Sequence, residues 1–139
     1  MGAIDTVTAF VAALNAQQWP SVASYLADDF TFTGGAPVPL GKQGLLAGEQ
    51  AWFTGVPDRH LTFENARTDG NTVSGTTRVT GTQTKPLAFP GMSPIPATGK
   101  RFATAIPTTI TMHGDKIAAI TLAPASPTIF EQLGVQPPA

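Results

Sequence analysis

Apolar side chains recur at three- and four-residue intervals in the N-terminal part of the chain and at two-residue intervals in the C-terminal part, so helices precede strands. Residues 3–15 place Ile4, Val7, Phe10, Val11 and Leu14 on one face, which predicts an amphipathic helix. Asp5 and Thr6 near its start suit the positive end of the helix dipole. Pro20, at a first-turn position, opens a second helix to about Leu26 that continues the same apolar face. "TFTGGAPVPLG" (31–41) leaves that helix as a short strand and then turns on its glycines and prolines. A third helix, about 42–53, carries Leu45, Leu46, Trp52 and Phe53, and "TGVP" (54–57) stops it.

From His60 onward the period is two, which predicts strands at 60–67, 72–83, 101–113 and 116–123. "TDGN" (68–71) and "HGD" (113–115) are tight hairpin connections. Between the second and third of these strands, "KPLAFPGMSPIPATG" (85–99) is too rich in proline for regular sheet, because proline donates no ladder hydrogen bond. It reads as a stiffened loop or flap. After 123, "PASPTIFEQLG" leaves the sheet for a short terminal helix. Helices first and an antiparallel sheet second make an α+β domain. A curved, cone-shaped antiparallel sheet wrapped around the N-terminal helices leaves a hollow, which is where a ligand belongs. Phe102, Ile106, Ile110 and Met112 share strand parity, as do Ile120 and Leu122, and these two sets are expected to line it, with Trp52 and Phe53 from the third helix. Pro107 is expected to mark a bulge.

Composition narrows the function. A chain of 139 residues makes one domain, 1–139, with no repeat. Only 12% of residues are charged, against about 25% in an ordinary domain, so much apolar surface needs a lined cavity or a second subunit. A homodimer through the outer sheet face is expected. The formal net charge of −1 with no basic stripe gives nucleic acid nothing to hold. No apolar run is long enough to span a membrane, and "MGAID" lacks a basic leader segment, so a cytoplasmic location is expected. Without cysteine there is no thiolate chemistry, and His60 and His113 have no metal-ligand spacing, so neither metal nor cofactor is expected.

"AFVAALNAQQW" (9–19), "LADDF" (26–30), "VPDRH" (56–60), "GTQT" (81–84), "PATGKRF" (96–102), "GDKI" (114–117) and "EQLGV" (131–135) run in an order and spacing that resemble a SnoaL-like protein. The same superfamily holds nuclear transport factor two, ketosteroid isomerase and limonene epoxide hydrolase. The resemblance implies a cavity enzyme without metal or organic cofactor, of the kind that closes rings in polyketide and antibiotic biosynthesis by intramolecular aldol chemistry. A carboxylate in the hollow moves the proton in such enzymes.

The residues for that proton transfer are missing here. In the resemblance, a Glu and a His after "GKI" fall on Ala119 and Ile120, and a later acid falls on Ala125. The histidine of "GTH" falls on Gln83. The ketosteroid isomerase tyrosine falls on Phe10, its base on Gly34, and its neutral acid near Pro107 or Thr108. The acids of limonene epoxide hydrolase have no counterpart, because no Asp or Glu occurs between residues 72 and 113. The replacements make a dry interior, either selected to be apolar or left by a dead enzyme.

The remaining polar candidates are Gln83, Tyr25, Arg78 and His60. Gln83 reads equally as an anchor for a substrate carbonyl and as a loop-capping amide, since an amide cannot shuttle a proton at neutral pH. Arg78 and His60 could reach a ligand, or could sit on the solvated side of the sheet. Glu64 alternates with Phe63 and belongs on the outer face, and Asp58 organises the turn before the first long strand. The expected function is a cofactor-independent cyclase acting on a hydrophobic small molecule, by moulding the chain into a ring-closing shape. A [4+2] closure would need no proton transfer. The alternative is a non-catalytic carrier of a hydrophobic ligand.

Overall fold

The computed structural model describes residues 2–125 and 127–135. Helix α1 (Ala3–Asn15) is followed by α2 (Trp19–Ser24), β1 (Leu26–Thr33) and α3 (Lys42–Gly55). Four long strands come next: β2 (His60–Asp69), β3 (Thr72–Thr82), β4 (Arg101–His113) and β5 (Lys116–Leu122), and then α4 (Ile129–Leu133). The five strands form one sheet in the order β1-β5-β4-β3-β2. The α+β reading therefore holds, with the helices on the inner side of a curled, open sheet.

Three local expectations change. Helix α2 stops at Ser24, and "LADDF" belongs to β1 rather than ending a helix. Leu26 and Phe30 are buried while Asp28 and Asp29 are both exposed, and the β1–β5 register shifts between Leu26 and Thr31. Strand β1 also runs parallel to β5, so one pair in an otherwise antiparallel sheet is parallel. Pro107 makes no bulge against β3, where the register runs unbroken through Thr76↔Pro107. On its other side Ala123 N donates to Pro107 O at 2.9 Å, and β5 ends at Leu122. The donor that proline lacks is therefore missing where the ladder itself stops.

Curvature comes from irregularities elsewhere. The β2–β3 register shifts between Glu64 and Arg67, where Asn65 takes a positive φ of 57°, and β4–β5 shifts between Thr111 and Met112. Such extra residues bend a strand and increase its twist. Helix α1 buries Val7, Phe10 and Leu14 beneath the sheet. At its end, Asn15 acts as a surrogate strand. Its Nδ2 donates to Leu61 O at 2.8 Å, and its Oδ1 accepts from Leu61 N at 2.9 Å. The edge of β2 is thus partly satisfied by a side chain instead of lying open.

The proline-rich segment 85–99 folds back on itself through a single bridge, Leu87↔Ile95, with mutual bonds of 2.9 and 2.8 Å. Leu87 is fully buried against Gly55 at the end of α3, where a Cβ would meet Leu87 Cγ at 2.9 Å. Only glycine lets this flap close so near.

Candidate functional site

Alternation along β3 and β4 sends Val73, Thr77 and Val79, with Phe102, Ile106, Ile110 and Met112, to the inner face. The buried apolar side chains there fall into two separate clusters. Ile110, Met112 and Ile120 join Phe10, Leu14, Phe30 and Leu45 in the first, with Leu122 packed against it. Phe53 and Phe102 join Val56, Leu61, Val79 and Leu133 in the second, with Trp52 and Ile106 packed against it. All eight expected lining residues therefore face the interior, but they divide between its two ends.

The inner face where the two clusters meet is the candidate site. Phe102 and Ile110 are 1% and 3% exposed, yet Ile106, on the same face between them, is only half-buried. Val11 and Trp19 pack against both clusters and join them from the helix side. Opposite them, Thr77 Oγ1 lies 2.7 Å from Thr108 Oγ1, and Thr108 donates to Ile106 O at 2.9 Å. Two hydroxyls thus sit on an otherwise apolar wall.

The interior is less oily than the sequence suggests. The inward stripe of α3 carries Leu45 in the first cluster and Phe53 in the second, with Glu49 one turn from each. Glu49 is buried and pairs with Arg59 Nη1, the two side chains being 11% and 7% exposed. The guanidinium carbon lies 5.1 Å from the Phe53 ring centroid and 5.5 Å from that of Trp52, close enough for cation–π attraction. Its Nε is buried with no hydrogen-bond partner, alone in this among the described residues. Arg59 reaches this place because the turn after α3 is pressed onto the sheet. Arg59 N donates to Val56 O at 3.0 Å, and Asp58 Oδ1 accepts from Thr82 N at 2.7 Å. At Gly81, on β3, a Cβ would stand 3.3 Å from Arg59 Cα and closer still to Val56. Neither Glu49 nor Arg59 stands out in the sequence. The available signal is that Leu45, Glu49 and Phe53 share a four-residue spacing, which puts a carboxylate on an apolar stripe.

The four polar candidates from the sequence are dispersed. Gln83 is fully buried and its amide is taken up by the flap. Nε2 donates to the carbonyls of Lys85, Ile95 and Pro96 at 3.1–3.3 Å, and Oε1 accepts from Thr98 N at 3.2 Å and Thr98 Oγ1 at 2.8 Å. Arg78 lies on the outer face, its Nε 3.2 Å from Glu64 Oε1. His60 is exposed on the same side, paired with Thr80. Tyr25 is half-buried against the first cluster, its carbonyl accepting from Ile117 N at 2.8 Å.

The flap completes the second cluster. Phe89 meets Trp52 edge-on with ring centroids 5.4 Å apart, while Trp52 also touches Phe102 and, on α4, Phe130. Across the sheet, a separate concavity of about 540 Å³ opens on the outer face, lined by polar and small residues including Arg67, Ser74, Thr76, Thr109 and Thr121. Among the described residues, no helix is long and apolar enough to cross a membrane, and no three His, Asp or Glu side chains gather as a metal site would need.

The model of the SnoaL-like domain matches residues 7–120. None of the curated proteins matches the chain. Solved structures share the fold at low identity. TsrD from Streptomyces laurentii is 21% identical, with 95% of this chain and 94% of that one covered and a TM-score of 0.77. A SnoaL-like polyketide cyclase from Agrobacterium tumefaciens is 19% identical over 96% of this chain and 99% of that one, at a TM-score of 0.76. IdmH from Streptomyces antibioticus, a candidate polyketide cyclase, is 21% identical over 97% of this chain and the whole of that one, also at 0.76.

Proposed function

Because this chain belongs to the SnoaL-like domain family, we propose that it is a cofactor-independent cyclase closing a ring on a hydrophobic, polyketide-type intermediate. The polyketide cyclases among its structural relatives support the reaction class. What supports the reading is the apolar interior beside Ile106, where Val11 and Trp19 join the two clusters and the Thr77 and Thr108 hydroxyls sit on the β3–β4 wall. A flexible, mostly hydrocarbon chain that enters it exchanges water for apolar wall at roughly 25 cal/mol per Å². Confinement then does the work. Holding two reacting carbons in an attack geometry can remove several kcal/mol of barrier without proton transfer. The positions at which the family resemblance expects acid and base hold Ala119, Ile120 and Gln83, which fits ring closure by moulding, including a [4+2] closure. Two copies pair through the outer sheet face in this reading.

A second reading, a carrier that binds without turnover, is favoured by the dispersal of Gln83 to the flap and of Arg78 and His60 to the outer face. Incubation with linear chains released from a polyketide synthase separates the two. Ring closure by isomerisation leaves the mass unchanged, so the readout is a new retention time and a loss of olefinic or carbonyl signals in the product. Recovery of the unaltered chain from a tight complex would discard the cyclase. Ile106→Trp, which adds bulk at the proposed site, is expected to cut turnover at least tenfold with the fold intact. Unchanged turnover in that variant would move the site elsewhere.

A further inference from the structure

We infer that the concavity on the outer sheet face is a second binding site, for a small hydroxylated carboxylic acid whose carboxylate meets Arg67. The inference does not rest on the interior site. On β3, Ser74 and Thr76 stand two residues apart, whereas their β2 partners, Arg67 and Glu64, stand three apart. That one extra residue, beside Asn65 with its positive φ, turns Arg67 outward. Ala66, which an unbroken register would set opposite Ser74, packs against the first apolar cluster instead. Ser74 is level with Thr109, and Thr109 with Thr121, so a guanidinium and three hydroxyls form one row across β2, β3, β4 and β5. At about 4.8 Å between strands the row is about 14 Å long. These four residues, with Thr76 beside them, line the concavity, and its volume of about 540 Å³ suits a small ligand.

Charge and hydrogen bonding decide the ligand. Glu64 is held by Arg78, whose Nε lies 3.2 Å from both carboxylate oxygens, and no carboxylate among the described residues lines the concavity. Among the described residues, no side-chain hydrogen bond or ion pair engages Arg67, Ser74, Thr76, Thr109 or Thr121. The hydroxyls of Thr77 and Thr108 differ in bonding each other. One fixed positive charge is balanced by one carboxylate, which a guanidinium can take through two parallel bonds. A phosphate dianion would leave a charge over. Hydroxyl side chains both donate and accept, so ligand hydroxyls rather than hydrocarbon match the rest of the row. Two copies paired over this face would bury Arg67, and the bound carboxylate supplies the opposite charge that a buried cation needs.

Three six-carbon probes test this on the wild-type protein by calorimetry: glucuronate, glucose, which lacks the charge, and hexanoate, which lacks the hydroxyls. Glucuronate should bind about tenfold more tightly than either, the worth of one charge-assisted hydrogen bond or of a few neutral ones. In nuclear magnetic resonance spectra it should shift the Arg67 Nε–H signal, assigned by its loss in Arg67→Gln, and the amide signals of Ser74 and Thr109. Arg67→Gln should weaken glucuronate binding about tenfold. Arg101→Gln removes an equal charge at the exposed far end of β4 and should leave the binding unchanged. Ser74→Ala with Thr109→Ala should bring glucuronate down to the level of hexanoate. Glucose binding as tightly as glucuronate means that the charge is not read, and hexanoate doing so means that the hydroxyl row is not. Either result overturns the assignment. So does an equal loss in the two arginine variants, an unmoved Arg67 signal, or failure of all three probes to bind.

Discussion

Glu49 and Arg59 show how one buried pair sets what neighbouring side chains can tolerate. Arg59→Met alone strands a carboxylate among Leu45, Phe53 and Trp52, and should cost about 3–5 kcal/mol. Removing both charges avoids that penalty, so the Glu49→Met, Arg59→Met pair should recover most of the loss. Urea unfolding of the two single variants and the double variant checks this. Simple additivity of the single effects would mean that the two side chains do not depend on each other. The same residues mark what sequence alone conceals. Arg59 lies in "VPDRH" beside two charged or titratable neighbours, Asp58 and His60, that are exposed, and nothing in that string shows which of the three turns inward.

At the scale of elements, the flap and its staple matter most. Segment 85–99 has little hydrogen-bonded structure of its own beyond the Leu87↔Ile95 bridge, and its remaining carbonyls lean on the Gln83 amide. Gln83→Leu keeps the volume but leaves the Lys85 and Pro96 carbonyls and the Thr98 N–H and hydroxyl without this partner, while Ile95 O keeps its bond from Leu87 N. It should lower stability by about 3 kcal/mol, with a proteolytic nick in the flap appearing first. A variant as stable and as resistant as wild type would show that the prolines alone hold the flap. The loop character of this segment is legible in its prolines, and the limits of β4 agree with the alternation from Arg101 to His113. The start of β1 is not legible, because the buried Leu26 and Phe30 of "LADDF" stand four residues apart, a spacing that reads as helix.

At the scale of the whole molecule, no helix among the described residues covers the outer sheet face, which presents small and hydroxylated side chains such as Ala103, Ala105 and Thr109, all exposed. The proposed pairing of two copies there makes a direct prediction. Sedimentation equilibrium at micromolar concentration should give a dimer, and Thr109→Arg, which sets like charges across a two-fold interface, should give a monomer with the interior site intact. A wild-type monomer would leave the face and its 540 Å³ concavity open to solvent.

Periodicity by itself determined that helices precede strands, which side chains of β3 and β4 face inward, and that the interior wall is mainly aliphatic and aromatic. These features depend on neighbours within a few positions, where backbone geometry fixes the spacing. Only the tertiary structure decided that β1 lies parallel beside β5, that the apolar lining splits into two clusters, and that Gln83 serves the flap. It also decided that Glu49 and Arg59 meet under the rings of Trp52 and Phe53. Each of these depends on how far the sheet curls and how closely a turn can approach it. That distance is set by bulges and by single glycines such as Gly81, and it leaves no periodic trace in the chain.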